Sequence, residues 1–292
     1  LSIFSNTFFA NFIKKKYILF LSIFFNLTIL FYYKYFFLLD TDDSGYNLLI
    51  PLGISFFTFN QIIVLIDLYF DKIKEFKFKN FFLLIIFFPH LIAGPFLRYK
   101  PIISQFETIN KIPFSANKFS FGLFLFVMGL AKKVLIADTL GFYADSFQLG
   151  VQNGHIPTFV QSWLGTFSFT LQIYFDFSGY TDMAIGLGLM IGIILPYNFK
   201  SPLKSENIIE FWDRWHITLT SIIREFIYYP ITVLITKKIK SQNFFMESIF
   251  LIIVPIMITF FLIGFWHGGT LNYVMFGVYN GILVCITYIF KN

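Results

Sequence analysis

Long apolar stretches separated by short basic or polar breaks organise this chain. A membrane-crossing helix needs about 20 predominantly apolar residues. Stretches of that kind run over Tyr17–Leu39, Asn47–Phe70, Asn80–Leu97, Phe119–Phe142, Thr158–Phe175, Asp182–Leu195, Phe244–Trp266 and Leu271–Phe290, and Leu1–Ile13 reads as the tail of another. The pattern predicts an all-α, polytopic membrane protein with about eight or nine crossings.

Some stretches are poor candidates for a lipid-facing helix. Asn80–Leu97 contains "PHLIAGP", where Pro89, Gly94 and Pro95 predict a broken or re-entrant segment. "DFSGYTD" predicts a break within Thr158–Leu195, and the following Ala184, Gly188 and Gly192 recur at a spacing suited to close helix packing. Ile208–Thr236 is rich in aromatics yet carries Glu210, Asp213, Arg214, Arg224 and Glu225. It reads as one helix near the cytoplasmic surface, ended near Pro230. Trp212, His216, Leu219 and Ile223 would form its stripe, and Glu210 and Arg214 would pair one turn apart.

Composition agrees with a membrane location. Hydrophobic residues make up 57% of the 292 and charged residues only 13%, against about 25% in soluble domains. The net charge of +6 does not point to nucleic acid, because Lys and Arg fall between apolar runs, where cytoplasmic loops collect them. On that bias Lys14–Lys16, "DKIKEFKFK", "KSPLKSEN" and "KKIK" (Lys237–Lys240) read as cytoplasmic. "DTDDSG" (Asp40–Gly45) and "DSFQLGVQNGHIPT" (Asp145–Thr158) read as external. On this pattern the chain reads as a multi-pass membrane protein. The single cysteine, Cys285, excludes an internal disulfide and a cysteine-based metal site. No repeat or linker is evident, so a single domain over residues 1–292 accounts for the chain. The start at Leu1 and the end at "IFKN" suggest a piece of a longer protein, lacking terminal helices.

Two histidines stand out as candidate chemistry. The run from Ser248 to Trp266 carries no charge and leads straight into His267 and two glycines. At 1.5 Å per residue it spans roughly 28 Å, about one hydrocarbon core, which would put His267 toward the outer face. An ionisable group there is costly and usually functional, although a lone intramembrane histidine can also serve only as a hydrogen-bonding link between helices. The glycines would stop the helix by accepting left-handed angles, leaving an open turn beside the imidazole. His216 would be reached from the cytoplasmic side. Asp176, Ser178, Tyr180 and Asp182 form a second polar island, in which either carboxylate could pair with Arg98 or Arg214. His90 reads as a satisfied polar group in the re-entrant segment, and His155 as exposed. Nucleophile-elbow, zinc-protease and dinucleotide motifs are missing, and no spacing favours a metal. Any chemistry would rest on histidine as general acid or base.

Four ordered motifs, "FFPHLIAGPFLRY", "QIYFDFSGYTDMAIGLGLM", "IIEFWDRWHITLTSIIREFIYYP" and "GFWHGG", resemble the membrane-bound O-acyltransferases. They are most similar to the bacterial branch acting on alginate, peptidoglycan and teichoic acids. The resemblance implies a helical bundle around a central tunnel, with His267 and His216 as catalytic residues. It also implies that a cytoplasmic acyl thioester, acetyl-CoA or similar, acts as donor substrate, with no bound cofactor. An extracytoplasmic partner protein or glycan would accept the acyl group. In this reading Trp212, Trp215, Trp266, Asp176 and Tyr180 line the substrate passage, and Arg214, Lys200 and Lys204 meet donor phosphates or serve only as basic loop residues. After "IYYP" this chain continues "ITVLITKKIK", where the branch often has a Gly-Gly-Asn-Arg-like run. A transporter or flippase without chemistry, or an inactive scaffold, would share the apolar pattern and the midplane polar groups.

Overall fold

A computed structural model describes residues 2–35, 51–111, 113–238 and 244–291. Among them there are helices and no strand. The expected loop Asp40–Gly45, and the parts of the expected elements over residues 36–50 and 239–243, lie outside the described residues. Among the described residues five helices are long and apolar enough to cross a membrane: Lys16–Tyr35, the continuous Ala116–Gln152, Ile217–Lys237, Phe250–His267 and Leu271–Lys291. That is fewer than the apolar pattern predicts. The remaining expected crossings prove short or broken, or merge into one longer helix.

The chain folds as two compact units, residues 1–26 with 52–197 and residues 27–51 with 198–292. The first contains α1 (Ser2–Phe12), the opening part of α2 (Lys16–Tyr35), α3 (Ile54–Tyr69), α4 (Phe78–Ile86), α5 (Tyr99–Thr108), α6 (Ala116–Ala131), α7 (Asp138–Gln152) and α8 (Phe159–Met190). Its core gathers Val64, Leu65, Phe81, Leu84, Leu97, Ile103, Ile185 and Leu195. Several polar side chains buried with them are paired. Asn6 donates to Asn26 at 2.9 Å and to Gln61 at 2.6 Å, joining three helices by amides. Asp67, 7% exposed, is held by Arg98 at 3.1 Å.

Asn80–Leu97 breaks as its prolines require. α4 ends at Ile86, a 3-10 turn covers Phe88–His90, and turns follow. His90 is buried, with Nε2 2.8 Å from the Leu84 carbonyl.

The break expected at "DFSGYTD" does not occur: α8 runs through it for 32 residues. Its carboxylates are satisfied from the side rather than by opening the backbone. Lys132 pairs with Asp182 at 2.5 Å, and Lys133 with Asp176 and with Asp138 at 2.7 Å each. Both lysines sit in a π-helical turn, Lys132–Ala137, that joins α6 to α7 without a break. The carboxylate partners are therefore these lysines, not Arg98 or Arg214. The loop expected over Asp145–Thr158 shrinks accordingly, since α7 extends to Gln152.

Close packing of α6 on α8 uses glycines other than those the spacing suggested. A Cβ on Gly122 would lie 2.6 Å from the Gly186 carbonyl oxygen, and one on Gly129 would lie 2.5 Å from that of Gly179. Gly192 instead closes α8. It adopts φ 86°, the Ile193 amide donates to the Gly188 carbonyl and the Gly192 amide to that of Leu189, a Schellman ending.

The second unit holds the rest of α2, then α9 (Ile208–Arg214), α10 (Ile217–Ile223), α11 (Tyr229–Lys238), α12 (Phe244–His267) and α13 (Leu271–Lys291). α12 and α13 pack as a hairpin in which Gly264 meets Gly277: a Cβ on either would come within 2.4 Å of a carbonyl oxygen of the other helix. Ile256, Phe260 and Cys285 form the buried centre, with Trp212 and Tyr228 against it.

Candidate active site

The predicted single helix over Ile208–Thr236 is interrupted at its histidine. Asn207 opens α9, its side chain accepting from the Glu210 amide at 3.0 Å. Glu210 and Arg214 pair one turn apart as expected. The Glu206 amide and Arg214 together hold the Glu210 carboxyl below the usual carboxylate range. Trp215 then turns extended and His216 adopts φ 45°, ψ 53° before α10 begins. A stripe through Trp212, His216, Leu219 and Ile223 therefore does not form. Helical structure also continues past Pro230: a π-helical turn over Arg224–Tyr228 leads from α10 straight into α11, and this irregular turn is where the helix accommodates the proline's missing N–H.

Asn198 fixes this corner. Its backbone carbonyl accepts from the Ile217 amide at 2.9 Å. Its side-chain oxygen accepts from the Thr218 hydroxyl at 2.6 Å and lies 3.3 Å from His216 Nδ1. An amide oxygen can only accept, so Nδ1 carries the proton and the imidazole lone pair is on Nε2. Asn198 is fully buried and His216 is 5% exposed. A non-glycine residue in the left-handed region is strained, and such strain concentrates at functional sites.

His267 is the last residue of α12 and is accessible at the surface of its unit. Its ring lies 4.6 Å from that of Trp266, 5.8 Å from Phe276 and 6.4 Å from Tyr273, centroid to centroid. Gly268 and Gly269 do not take left-handed angles there. Gly268 is needed for space: a Cβ would fall 2.3 Å from the Tyr273 ring, so the turn beside His267 is filled rather than open.

Both histidines belong to the second unit, and their imidazoles are near enough to interact electrostatically. Aromatic rings connect their surroundings. Trp212 contacts Phe260 at 5.4 Å and Phe276 at 6.3 Å, and Phe276 in turn meets His267. Trp215 stacks on Phe211 at 5.6 Å and meets Phe199 edge-on. Of the proposed phosphate contacts, Arg214 is committed to Glu210, while Lys200 and Lys204 are exposed. Asp176 and Tyr180 belong to the first unit, Asp176 paired with Lys133 and the Tyr180 hydroxyl facing the backbone of Ile92 and Ala93.

Sequence reasoning overlooked Asn198, Lys34 and Tyr35. Asn198 carried no signal, being an ordinary polar residue after a proline. Lys34 did carry one, as the lone charge between Tyr17 and Tyr35 in an otherwise apolar helix.

The family model for membrane-bound O-acyltransferases matches residues 3–291. The chain belongs to that family. Among curated proteins, the chain is 42% identical over 241 residues to a "Probable alginate O-acetylase AlgI" of Pseudomonas putida, covering 82% of this chain and 46% of the relative. It is 37% identical over 266 residues to a peptidoglycan O-acetyltransferase of Helicobacter pylori, covering 82% and 48%. It is 28% identical over 252 residues to a teichoic acid D-alanyltransferase of Streptococcus thermophilus, covering 83% and 58%. The chain thus spans about half the length of the relatives it matches.

Proposed function

We propose that this chain is the acyl-transfer part of an inner-membrane O-acetyltransferase that modifies hydroxyls of a glycan outside the cytoplasm. The donor is a cytoplasmic thioester of the acetyl-CoA type. The acetyl group passes through the helical bundle to an extracytoplasmic partner protein or directly to the glycan. The observation that carries this reading is the pair of imidazoles in one unit, one accessible at a helix end and one locked by Asn198.

In the proposed step His267 takes the proton of the attacking hydroxyl as its oxygen bonds to the thioester carbonyl carbon. The carbon–sulfur bond breaks, and the proton passes from the imidazolium to the departing thiolate. His216, with Nδ1 engaged by Asn198, orients the donor or hydrogen-bonds to the carbonyl oxygen as charge develops. Trp212, Trp215 and Trp266 keep water from the thioester. Lys200 and Lys204 meet the donor's phosphates, a role the Glu210-paired Arg214 is less able to share. The glycan class, alginate-like or peptidoglycan, follows the names of the relatives.

The test is surface-glycan O-acetylation in cells deleted for the full-length gene and complemented with wild type, His267→Ala or His216→Ala at equal membrane abundance. Acetate released by mild alkali should return with wild type and stay at background with His267→Ala. Equal restoration by both variants would remove the catalytic reading. Acetylation that survives deletion would turn attention to transport.

A further inference from the structure

The overlooked Lys34 and Tyr35 both end on the turn that carries His267. The last carbonyls of a helix have no partner within it and must find donors elsewhere. In α12, Lys34 Nζ donates to the Trp266 carbonyl and the Tyr35 hydroxyl to the Phe265 carbonyl. Rings reinforce both bonds. The ammonium lies 5.2 Å from the centroid of the Trp266 ring, and Tyr35 stacks on Phe265 at 5.2 Å with planes 5° apart. All four residues belong to the same unit.

A lysine near the end of a membrane helix ordinarily extends its charge toward the headgroups. Lys34 instead turns to a backbone carbonyl, where a cation also favours the negative end of the helix dipole. Neighbouring residues on a helix point in different directions, yet these two reach successive carbonyls of one turn. The two carbonyls immediately precede His267, and Lys34 lies within electrostatic range of that imidazole.

We propose that Lys34 and Tyr35 are positioning residues for acyl transfer: they clamp the final turn of α12 and so set the direction in which His267 presents its ring. The proposal rests on the reading of His267 as the transfer base. The clamp itself can be tested without turnover.

The experiment uses full-length protein in membranes, as wild type, Lys34→Met, Lys34→Arg and Tyr35→Phe, each normalised to membrane abundance. The first readout is the rate at which diethyl pyrocarbonate modifies His267, followed by peptide mass spectrometry with exposed His155 as internal standard. The second is kcat and donor KM.

Lys34→Met should change His267 labelling about 3-fold or more and lower kcat by about 10- to 100-fold, with donor KM within about 2-fold of wild type. Lys34→Arg, which keeps a cationic donor, should restore labelling and most of kcat. Tyr35→Phe should fall between. Wild-type labelling in Lys34→Met overturns the clamp, whatever the activity. An Arg variant as impaired as Met in both readouts, at normal abundance, overturns it as well. A wild-type protein without transfer activity sinks the acyl-transfer reading, while the labelling still decides whether Lys34 holds the turn.

Discussion

Replacing His216 by glycine and by alanine separates what its backbone contributes from what its side chain does. Both variants lose the imidazole and its contact with Asn198, so those losses cancel in the comparison. They differ in how well they tolerate φ 45°, ψ 53°. Alanine pays about 1–2 kcal/mol for a left-handed conformation that glycine adopts without strain. Glycine gives back about 0.4–1 kcal/mol through the greater freedom of its unfolded chain. The balance leaves glycine more stable by about 0.5–1 kcal/mol, a melting difference of roughly 1–4 °C for a domain of this size. Thermal unfolding in detergent, followed by tryptophan fluorescence on matched preparations, would resolve it. Neither variant should transfer acyl groups. An alanine variant as stable as the glycine variant, or more so, would refute the left-handed corner and with it the argument that strain is held there for function.

The glycine contacts between α6 and α8 predict that Gly129→Ala, whose Cβ would lie 2.5 Å from the Gly179 oxygen, destabilises by about 1–3 kcal/mol. Gly150→Ala, with nothing nearer than 3.9 Å, should be neutral or slightly stabilising; comparable melting losses for both would count against this crossing. Lys132→Met strands the mostly buried Asp182 carboxylate and should cost about 1–3 kcal/mol, whereas Lys132→Met with Asp182→Leu should recover most of it. A double variant that melts as low as the single one would show that the ion pair does not satisfy the polar island.

The helical class was readable because lipid imposes it: a run of apolar residues at membrane depth has few backbone options. The prolines of "PHLIAGP" announced their break for the same local reason, the loss of donors. "DFSGYTD" misled because its two carboxylates are satisfied by Lys132 and Lys133, more than forty positions earlier in the chain. No local window contains that pairing. The break at His216 was hidden likewise, since Trp215 and His216 are unremarkable in a helix and the corner depends on Asn198. His267 and His216 were legible as candidates for chemistry because histidines are rare on this chain and suit acid–base work. Lys34 was rare in its place, a lone charge in an apolar helix, and only its contact with the end of α12 gives that rarity a meaning.

The unbroken helical rod from Ala116 to Gln152 carries a consequence for the surrounding lipid. Its 37 residues measure about 55 Å along the axis, against a hydrocarbon core of about 30 Å. Even a tilt of about 40° leaves roughly 42 Å to accommodate. Apolar side chains stay uncovered near both ends, Phe119 and Phe121 at one and Leu149 and Val151 at the other, beside exposed polar ones, Lys118 and Gln148 among them, so each end suits the boundary between hydrocarbon and water. Lys132 and Lys133 sit near its middle and hold the rod to α8 at a fixed height. That span about matches a bilayer of about 40–45 Å counted with its headgroups, so a thinner membrane must stretch beside the rod or leave its ends bare. Lipid chain length thereby becomes a physical variable for this protein, alongside temperature and pH.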